Sequence, residues 1–162
     1  MASKIQFQVN ADQVDIEVLW KALTKDIFEV GSKAAPDIFK EWKIFLDDAH
    51  ADLVLNSVLH ITLGTAAPLV EPLKQRVADF DEINHLVSFQ GLEGGFLKLG
   101  LTSYVLSFKL DYVGEGNSII TATITYDLEK DFDGTQLLEE FTKLVKYYLS
   151  TVVSYLQQKI NI

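Results

Sequence analysis

Apolar residues recur with helical spacing over the last long stretch of the chain, residues 135–158. They fall at Leu137, Leu138, Phe141, Leu144, Val145, Tyr148, Leu149, Val152, Tyr155 and Leu156. Steps of three and four residues place these side chains on one face of a helix of about six turns. A single helix cannot bury such a stripe by itself, so the segments before it must provide the opposite surface.

Most of the preceding chain alternates apolar and polar residues with the period of two that is typical of half-buried strands. The predicted strands are 4–10, 41–46, 52–64, 73–80, 84–92, 101–112 and 118–128. Helical spacing replaces the alternation at 14–24 and 27–33, and the second of these segments ends before Pro36. The sequence therefore predicts an α+β fold, in which a seven-stranded antiparallel sheet curls around a long C-terminal helix and two short helices form a V.

The strand at 101–112 has the clearest alternation. Thr102, Tyr104, Leu106, Phe108 and Leu110 are predicted to face one side of the sheet. The paired glycines after residue 93 predict a bulge or sharp bend that lets the sheet curl.

Length and composition limit the class of protein. With 162 residues, 48% apolar and 23% charged, we expect one globular domain over 1–162. No run of 18 apolar residues is present, and the first ten residues lack the apolar core of a signal peptide, so we expect a cytoplasmic protein that does not enter a membrane. The absence of cysteine excludes disulfides, thiolate catalysis and cysteine metal sites, and the net charge of −9 argues against nucleic-acid partners. We expect a monomer or a weak dimer.

Two stretches carry a resemblance to a known family. They are residues 17–26 (EVLWKALTKD) and a segment that runs from 80–82 (FDE) through 92–97 (LEGGFL) to Phe108. With the predicted element order, they resemble the birch-pollen-allergen, pathogenesis-related class-ten superfamily of plants, which has the START-like helix-grip fold. The cytokinin-specific binding proteins and the norcoclaurine synthases are its most similar branches. The resemblance implies a large apolar cavity between the sheet and the long helix, and a small-molecule partner.

The chain departs from the family pattern where norcoclaurine synthases are catalytic. These enzymes use a Tyr, a Glu, a Lys and an Asp, and the matching positions here hold Leu73, Gln75, Val87 and Leu106. No proton-transfer group remains among them, so that condensation is not expected. The glycine-rich loop of the family is also missing, since residues 47–53 contain no glycine.

The ligand contacts of the cytokinin-specific proteins are mostly absent as well. The resemblance places their Gln, Glu, Thr and Tyr at Leu73, Gln75, Val145 and Tyr148, so only the tyrosine is kept. A more apolar ligand is therefore favoured over a purine. The predicted cavity lining is Leu59, Ile61, Leu63, Leu73, Gln75, Val87, Phe89, Tyr104, Leu106, Phe108, Ile120, Ala122, Phe141, Val145 and Tyr148.

Two polar residues are candidates for catalysis in this cavity. His85 could act as a general base near neutral pH, and Tyr104 could orient a carbonyl group. Alternatively, His85 lies partly solvated at a hairpin end and Tyr104 closes an aromatic core. No acid partner or nucleophile is fixed near either residue by spacing.

An acidic segment before the long helix nearly matches a calcium loop. Glu129, Asp131, Asp133, Gly134 and Glu140 occupy the required positions, but the first residue is Glu and a strand precedes the loop instead of a helix. The alternative is a strand-to-helix connection whose acids complement the N-terminal end of the helix. We favour this alternative, and the three scattered histidines have no metal-ligand spacing, so we expect neither a metal nor another cofactor.

Three functions remain open on this sequence. The first is cofactor-free binding or carriage of an apolar plant hormone or specialised metabolite. The second is a cofactor-free cyclase, isomerase or condensing enzyme of specialised metabolism that uses the same cavity. The third is a structural protein related to defence. Changing His85 or Tyr104 should abolish turnover in an enzyme but only weaken affinity in a carrier.

Overall fold

The computed structural model describes residues 2–45, 53–67 and 70–160, with the side chains of 39–45 and Ile160 outside the description. Its strands are β1 Ser3–Ala11, β2 Phe39–Phe45, β3 Val58–Leu63, β4 Leu73–Asp81, β5 Leu86–Gly94, β6 Leu101–Gly114 and β7 Asn117–Leu128. Its helices are α1 Ile16–Leu23, α2 Ile27–Ala34 and α3 Thr135–Ile160, and a 3₁₀ turn covers Gly95–Lys98.

The seven strands form one sheet in the order β1-β7-β6-β5-β4-β3-β2, with antiparallel pairing between neighbours. The buried core lies between the inner face of this sheet and α3, where Phe141, Val145, Leu149 and Val152 are buried. The predicted fold class is confirmed. In the described ranges, no helix is both long and apolar enough to cross a membrane.

The short helix α1 is two residues shorter at its start than predicted and begins at a capping residue. Asp15 has extended backbone, and its carboxylate accepts a hydrogen bond from the Glu17 N–H at 3.1 Å. At the other end, the Thr24 hydroxyl donates to the Trp20 carbonyl at 2.7 Å. The helix is therefore closed by side-chain hydrogen bonds at both ends.

The strand predicted over 52–64 begins only at Val58. Asn56 has a φ of 72°, and the Ser57 hydroxyl accepts a hydrogen bond from the Val54 N–H at 2.9 Å. Asn tolerates the left-handed conformation, and serine can satisfy a nearby backbone donor, so a turn replaces the start of the strand. Leu55, predicted to share a face with the residues of β3, is exposed as a result. Residues 47–52 of the glycine-free loop lie outside the described residues.

On β6 the predicted face is correct from Tyr104 onward, because Tyr104, Leu106, Phe108 and Leu110 are all buried. Thr102 is exposed, contrary to the prediction. The pairing register with β7 shifts between Leu101 and Ser103. Because of this irregularity, the side chains before Tyr104 do not follow the inward and outward alternation of the rest of β6.

The predicted bend after β5 is present. Gly94 and Gly95 have φ angles of 73° and 55°, which glycine adopts without steric cost. A Cβ atom on Gly94 would lie 2.1 Å from the Pro72 carbonyl oxygen, so only glycine fits there. The bend leads into the 3₁₀ turn, which carries the buried side chain of Phe96.

Candidate ligand-binding site

A cavity of about 80 Å³ lies between the sheet and α3. Its described lining is Ile27, Ile38, Leu59, Ile61, Leu63, Leu73, Gln75, Phe89, Phe96, Leu106, Phe108, Phe141, Leu144, Val145 and Tyr148. The cavity is therefore bounded by α2, by strands β3 to β6 and by one face of α3.

Most of the predicted lining residues meet at this cavity, but Val87, Tyr104, Ile120 and Ala122 are not among the residues that line it. All four are buried. Phe108 pairs with Val87 on one neighbouring strand and with Ala122 on the other, and its ring extends farther from the sheet than either of them. Phe108 therefore separates Val87 and Ala122 from the cavity.

The cavity is lined by four residues that the sequence did not indicate: Ile27, Ile38, Phe96 and Leu144. Ile27 begins α2 and Ile38 lies between α2 and β2, where no periodic pattern marks an inward position. Phe96 follows the bend at Gly94 and Gly95. Leu144 and Phe96 had a signal, since Leu144 belongs to the apolar stripe of α3 and Phe96 to the segment 92–97 that carries the family resemblance.

Aromatic side chains explain why the cavity is much smaller than the resemblance implies. The Phe96 and Phe141 rings stack with centroids 4.1 Å apart and an interplanar angle of 3°, and the Tyr104 ring meets Phe141 edge-on at 5.2 Å. Phe89 and Phe108 form a second edge-on pair at 6.0 Å. Pockets for small molecules usually measure roughly 300–1,000 Å³. The expectation of a large cavity is therefore wrong for this conformation.

The polar side chains at the cavity surface are Gln75 and Tyr148. The Gln75 amide donates a hydrogen bond to the Tyr104 hydroxyl at 2.9 Å. This contact passes over Gly91, which is paired with Gln75 across the β4–β5 ladder. A Cβ atom on Gly91 would lie 2.3 Å from the Tyr104 ring, so a glycine in the middle of a strand makes room for the pair.

Both buried phenols are neutral at physiological pH. Burial raises the pKa of Tyr104 to about 12, although the hydrogen bond from Gln75 opposes the rise. Burial also raises the pKa of Tyr148 well above its ordinary value. No carboxylate, imidazole or amine belongs to the described lining of the cavity. The site can therefore form hydrogen bonds with a ligand but has no group suited to proton transfer at neutral pH.

His85 does not lie on a cavity-facing strand position, contrary to the prediction. It occupies the turn between β4 and β5 with a φ of 52°, and its Nε2 is 2.7 Å from the Glu17 carboxylate. Its ring also meets the Trp20 ring edge-on at 5.5 Å. The acid partner missing from the sequence pattern is thus Glu17, which the fold brings in from α1.

His85 and Tyr104 are far apart. The His85 carbonyl accepts a hydrogen bond from the Leu110 N–H at 3.0 Å, which fixes its level along β6. Tyr104 lies six residues earlier on the same strand, about 20 Å away at the usual rise of a strand residue. The two residues therefore do not form one catalytic site.

The acidic connection before α3 contains a helix cap. The Asp133 carboxylate accepts hydrogen bonds from the Thr135 N–H at 3.0 Å and from the Thr135 hydroxyl at 2.7 Å, and these bonds lower its pKa. In the described part of the chain, no three His, Cys, Asp or Glu residues are grouped to hold a metal ion. His60 lies on β3, and His50 lies outside the described residues.

The chain is similar to known proteins in sequence and in structure. No protein-family model matches the chain. Norbelladine synthase from Narcissus pseudonarcissus is 21% identical over 132 residues, which cover 81% of this chain and 76% of that protein. The structure of norcoclaurine synthase from Thalictrum flavum in complex with dopamine and hydroxybenzaldehyde superposes with a TM-score of 0.78 at 16% identity, over 98% of this chain and 88% of that one.

Two proteins with other names have similar structures. Ara h 8.0201 gives a TM-score of 0.79 at 15% identity over 98% of this chain and 99% of that one. Major latex-like protein 151 from Panax ginseng gives 0.71 at 19% identity over 93% of this chain and 97% of that one. The fold is that of the birch-pollen-allergen, pathogenesis-related class-ten superfamily, and the resemblance noted in the sequence is confirmed. At these identities the similarity shows the fold alone, and a function has to be argued from the site.

Proposed function

We propose that this protein binds a neutral, largely apolar small molecule between the sheet and α3 without a cofactor. The observation that carries the proposal is the composition of the cavity surface, where Gln75 and Tyr148 are the polar side chains and the other described lining residues are apolar. The ligand class that we propose is a plant hormone or specialised metabolite of terpenoid or phenolic type. The binding protein would be a cytoplasmic monomer or weak dimer.

The energetics of burial favour a neutral ligand. A ligand that buries on the order of 300 Å² of apolar surface gains roughly 7 kcal/mol at about 25 cal/mol per Å². A gain of roughly 7 kcal/mol corresponds to a dissociation constant of about 10 μM, and association costs make the expected affinity weaker than that. A charged group would leave water without an opposite charge nearby, which costs several kcal/mol. A single hydroxyl or carbonyl group can instead form a hydrogen bond with the Gln75 amide or the Tyr148 hydroxyl.

Displacement of the neutral fluorescent probe N-phenyl-1-naphthylamine tests the proposal. Matched neutral and charged competitors of equal size would be titrated against the bound probe, and the neutral members should displace it at lower concentration. Leu106→Asp should weaken probe binding strongly because Leu106 lines the cavity. Leu92→Asp is the control, because Leu92 is 44% exposed on the same sheet. Preference for charged competitors, or equal loss in both variants, would contradict the proposal.

A cofactor-free enzyme is the second candidate function, and the names of the similar proteins support it. Both norbelladine synthase and norcoclaurine synthase are enzymes by name. The aliphatic residues Leu73, Val87 and Leu106 and the separation of His85 from Tyr104 weigh against it. Incubation with dopamine and an aldehyde should therefore give no enantiomeric excess above the uncatalysed background, and a stereoselective product would favour the enzyme.

A further inference from the structure

A groove on the outside of the molecule adjoins the inner cavity. It has a volume of about 890 Å³ and lies beside the N-terminal half of α3, where Ala66, Ala67 and Val70 line one part of it and Phe96 and Leu99 another. Phe96 and Leu144 line both the groove and the cavity. The two spaces are therefore separated by a wall one side chain thick.

The ring of Phe96 forms part of this wall. It is 4% exposed and stacks on Phe141, which lines the cavity and does not belong to the described lining of the groove. When the ring leaves the stack and turns toward the groove, the two spaces become continuous. The displaced ring gives up its stack on Phe141 and its edge-on contact with Tyr104, so the displaced state is the minor one of the two.

The backbone around Phe96 has hinge-like composition. The 3₁₀ turn that carries it spans four residues and begins at Gly95, with Gly94 directly before it and Gly100 two residues after its end. All three glycines have positive φ angles, of 73°, 55° and 128° respectively. Short elements between such glycines adjust without moving the adjoining strands, because a few terminal residues absorb the dihedral change.

We propose that the ligand site has two parts, the inner cavity and the outer groove, and that Phe96 is the gate between them. This inference rests on the proposed function. The ligand is an elongated neutral molecule with its apolar end in the cavity and its hydrogen-bonding end in the groove, beside Gln136, Lys143 and Tyr147. The volumes of the two spaces support this inference. The cavity of about 80 Å³ holds only one end of a ligand, and the groove of about 890 Å³ has room for the remainder.

Three variants of the full chain separate the gate from the two spaces. Phe96→Ala removes the gate, Phe89→Ala removes an identical group from the cavity alone, and Leu99→Ala alters the groove alone. Association of N-phenyl-1-naphthylamine would be followed by stopped-flow fluorescence with protein in excess. In the unaltered protein the observed rate should level off with protein concentration, because opening of the gate limits it.

If Phe96 is the gate, each variant has a defined association rate. Phe96→Ala should bind at least about tenfold faster and without the plateau, whereas Phe89→Ala and Leu99→Ala, which keep the gate, should keep the plateau even where their affinity changes. Phe96→Leu, which keeps more of the packing, should give an intermediate rate and serves if the alanine variant does not fold. Equal rates in the Phe96 and Phe89 variants, with binding intact, would overturn the gate and leave the proposed function standing.

Competition by primary alcohols tests whether the groove belongs to the site. Affinity should rise about fourfold per added methylene from hexan-1-ol to dodecan-1-ol if the chain continues into the groove. Leu99→Ala should weaken dodecan-1-ol by about threefold or more and leave hexan-1-ol unchanged. A plateau in affinity after the shortest alcohols would overturn the two-part site. Absence of probe binding in every variant would overturn the proposed function together with this inference.

Discussion

The two ends of the sheet treat their polar side chains in opposite ways. Around Tyr104 the polar groups are buried and neutral, and the Gln75–Tyr104 hydrogen bond is surrounded by aromatic rings. Around His85 the ionisable pair is close to solvent, since the side chain of Glu17 is 69% exposed. A buried and uncharged surface favours binding of neutral molecules. The contact between His85 and Glu17 instead holds the β4–β5 turn against α1. Gln75 at one end thus lines the cavity, whereas Glu17 and His85 at the other end do not belong to its described lining.

The largest loss of stability is expected when the Tyr104 side chain is removed. Tyr104→Ala should lower the free energy of unfolding by about 3–5 kcal/mol, because it empties a fully buried aromatic position above Gly91. Urea unfolding followed by circular dichroism measures the change. Tyr112→Ala is the matched control, since Tyr112 on the same strand is 62% exposed and should change stability by less than about 0.5 kcal/mol. Similar losses in both variants would mean that Tyr104 is not part of the core.

A second expected effect is a loss of stability at alkaline pH. Burial raises the pKa of Tyr104 to about 12 in the folded protein, above the ordinary value of 10.0. The stabilisation from the neutral phenol is therefore complete below pH 10 and is lost as the pH rises through 12. The difference corresponds to roughly 2–3 kcal/mol.

Comparison with Tyr104→Phe isolates this titration from those of the lysines and of Tyr148. Between pH 9 and 12 the urea midpoint of the unaltered protein should fall more steeply than that of the variant. Parallel slopes would show that Tyr104 ionises as readily in the folded chain as in the unfolded one.

A smaller effect is expected when the hydrogen bond partner is removed. Gln75→Leu leaves the Tyr104 hydroxyl buried without the amide, which should cost about 1–3 kcal/mol of stability. The double variant with Tyr104→Phe should recover most of this loss, because an apolar pair leaves no buried polar group behind. Additive losses in the double-mutant cycle would show that the two side chains are not coupled.

The sequence predicted the framework of this molecule because strand and helix periods are local. The apolar stripe of α3 and the alternation of β6 can each be seen within one continuous segment of the sequence. Both elements are present, and Thr102 alone departs from the predicted face of β6. The departures arose where side chains compete with the backbone, as at Asn56 and Ser57, whose hydrogen bonds replace the start of a strand with a turn.

The candidate site was predicted less completely, because its details depend on contacts between distant segments. Gln75 meets Tyr104 only because Gly91 leaves room, and Glu17 meets His85 across 68 positions of the chain. No local pattern encodes such pairs. The size of the cavity escaped prediction for the same reason, since the stack of Phe96 on Phe141 joins the 3₁₀ turn to α3. A glycine inside a strand and a glycine pair after it were the available signals for these contacts.

The smallest expected effect concerns the contact between His85 and Glu17. Replacing Glu17 by Ala should cost about 0.2–1 kcal/mol of stability, because an exposed carboxylate gains little from a partner that also contacts water. Glu17→Gln is the control, since an amide keeps a hydrogen-bonding oxygen near the His85 Nε2 and should lose less. Affinity for N-phenyl-1-naphthylamine should stay within about twofold in both variants, because neither Glu17 nor His85 belongs to the described lining of the cavity. Urea unfolding and probe titration measure the two quantities in parallel. A tenfold loss of probe affinity in Glu17→Ala, with stability nearly intact, would place His85 in the ligand site and remove the distinction between the two ends of the sheet.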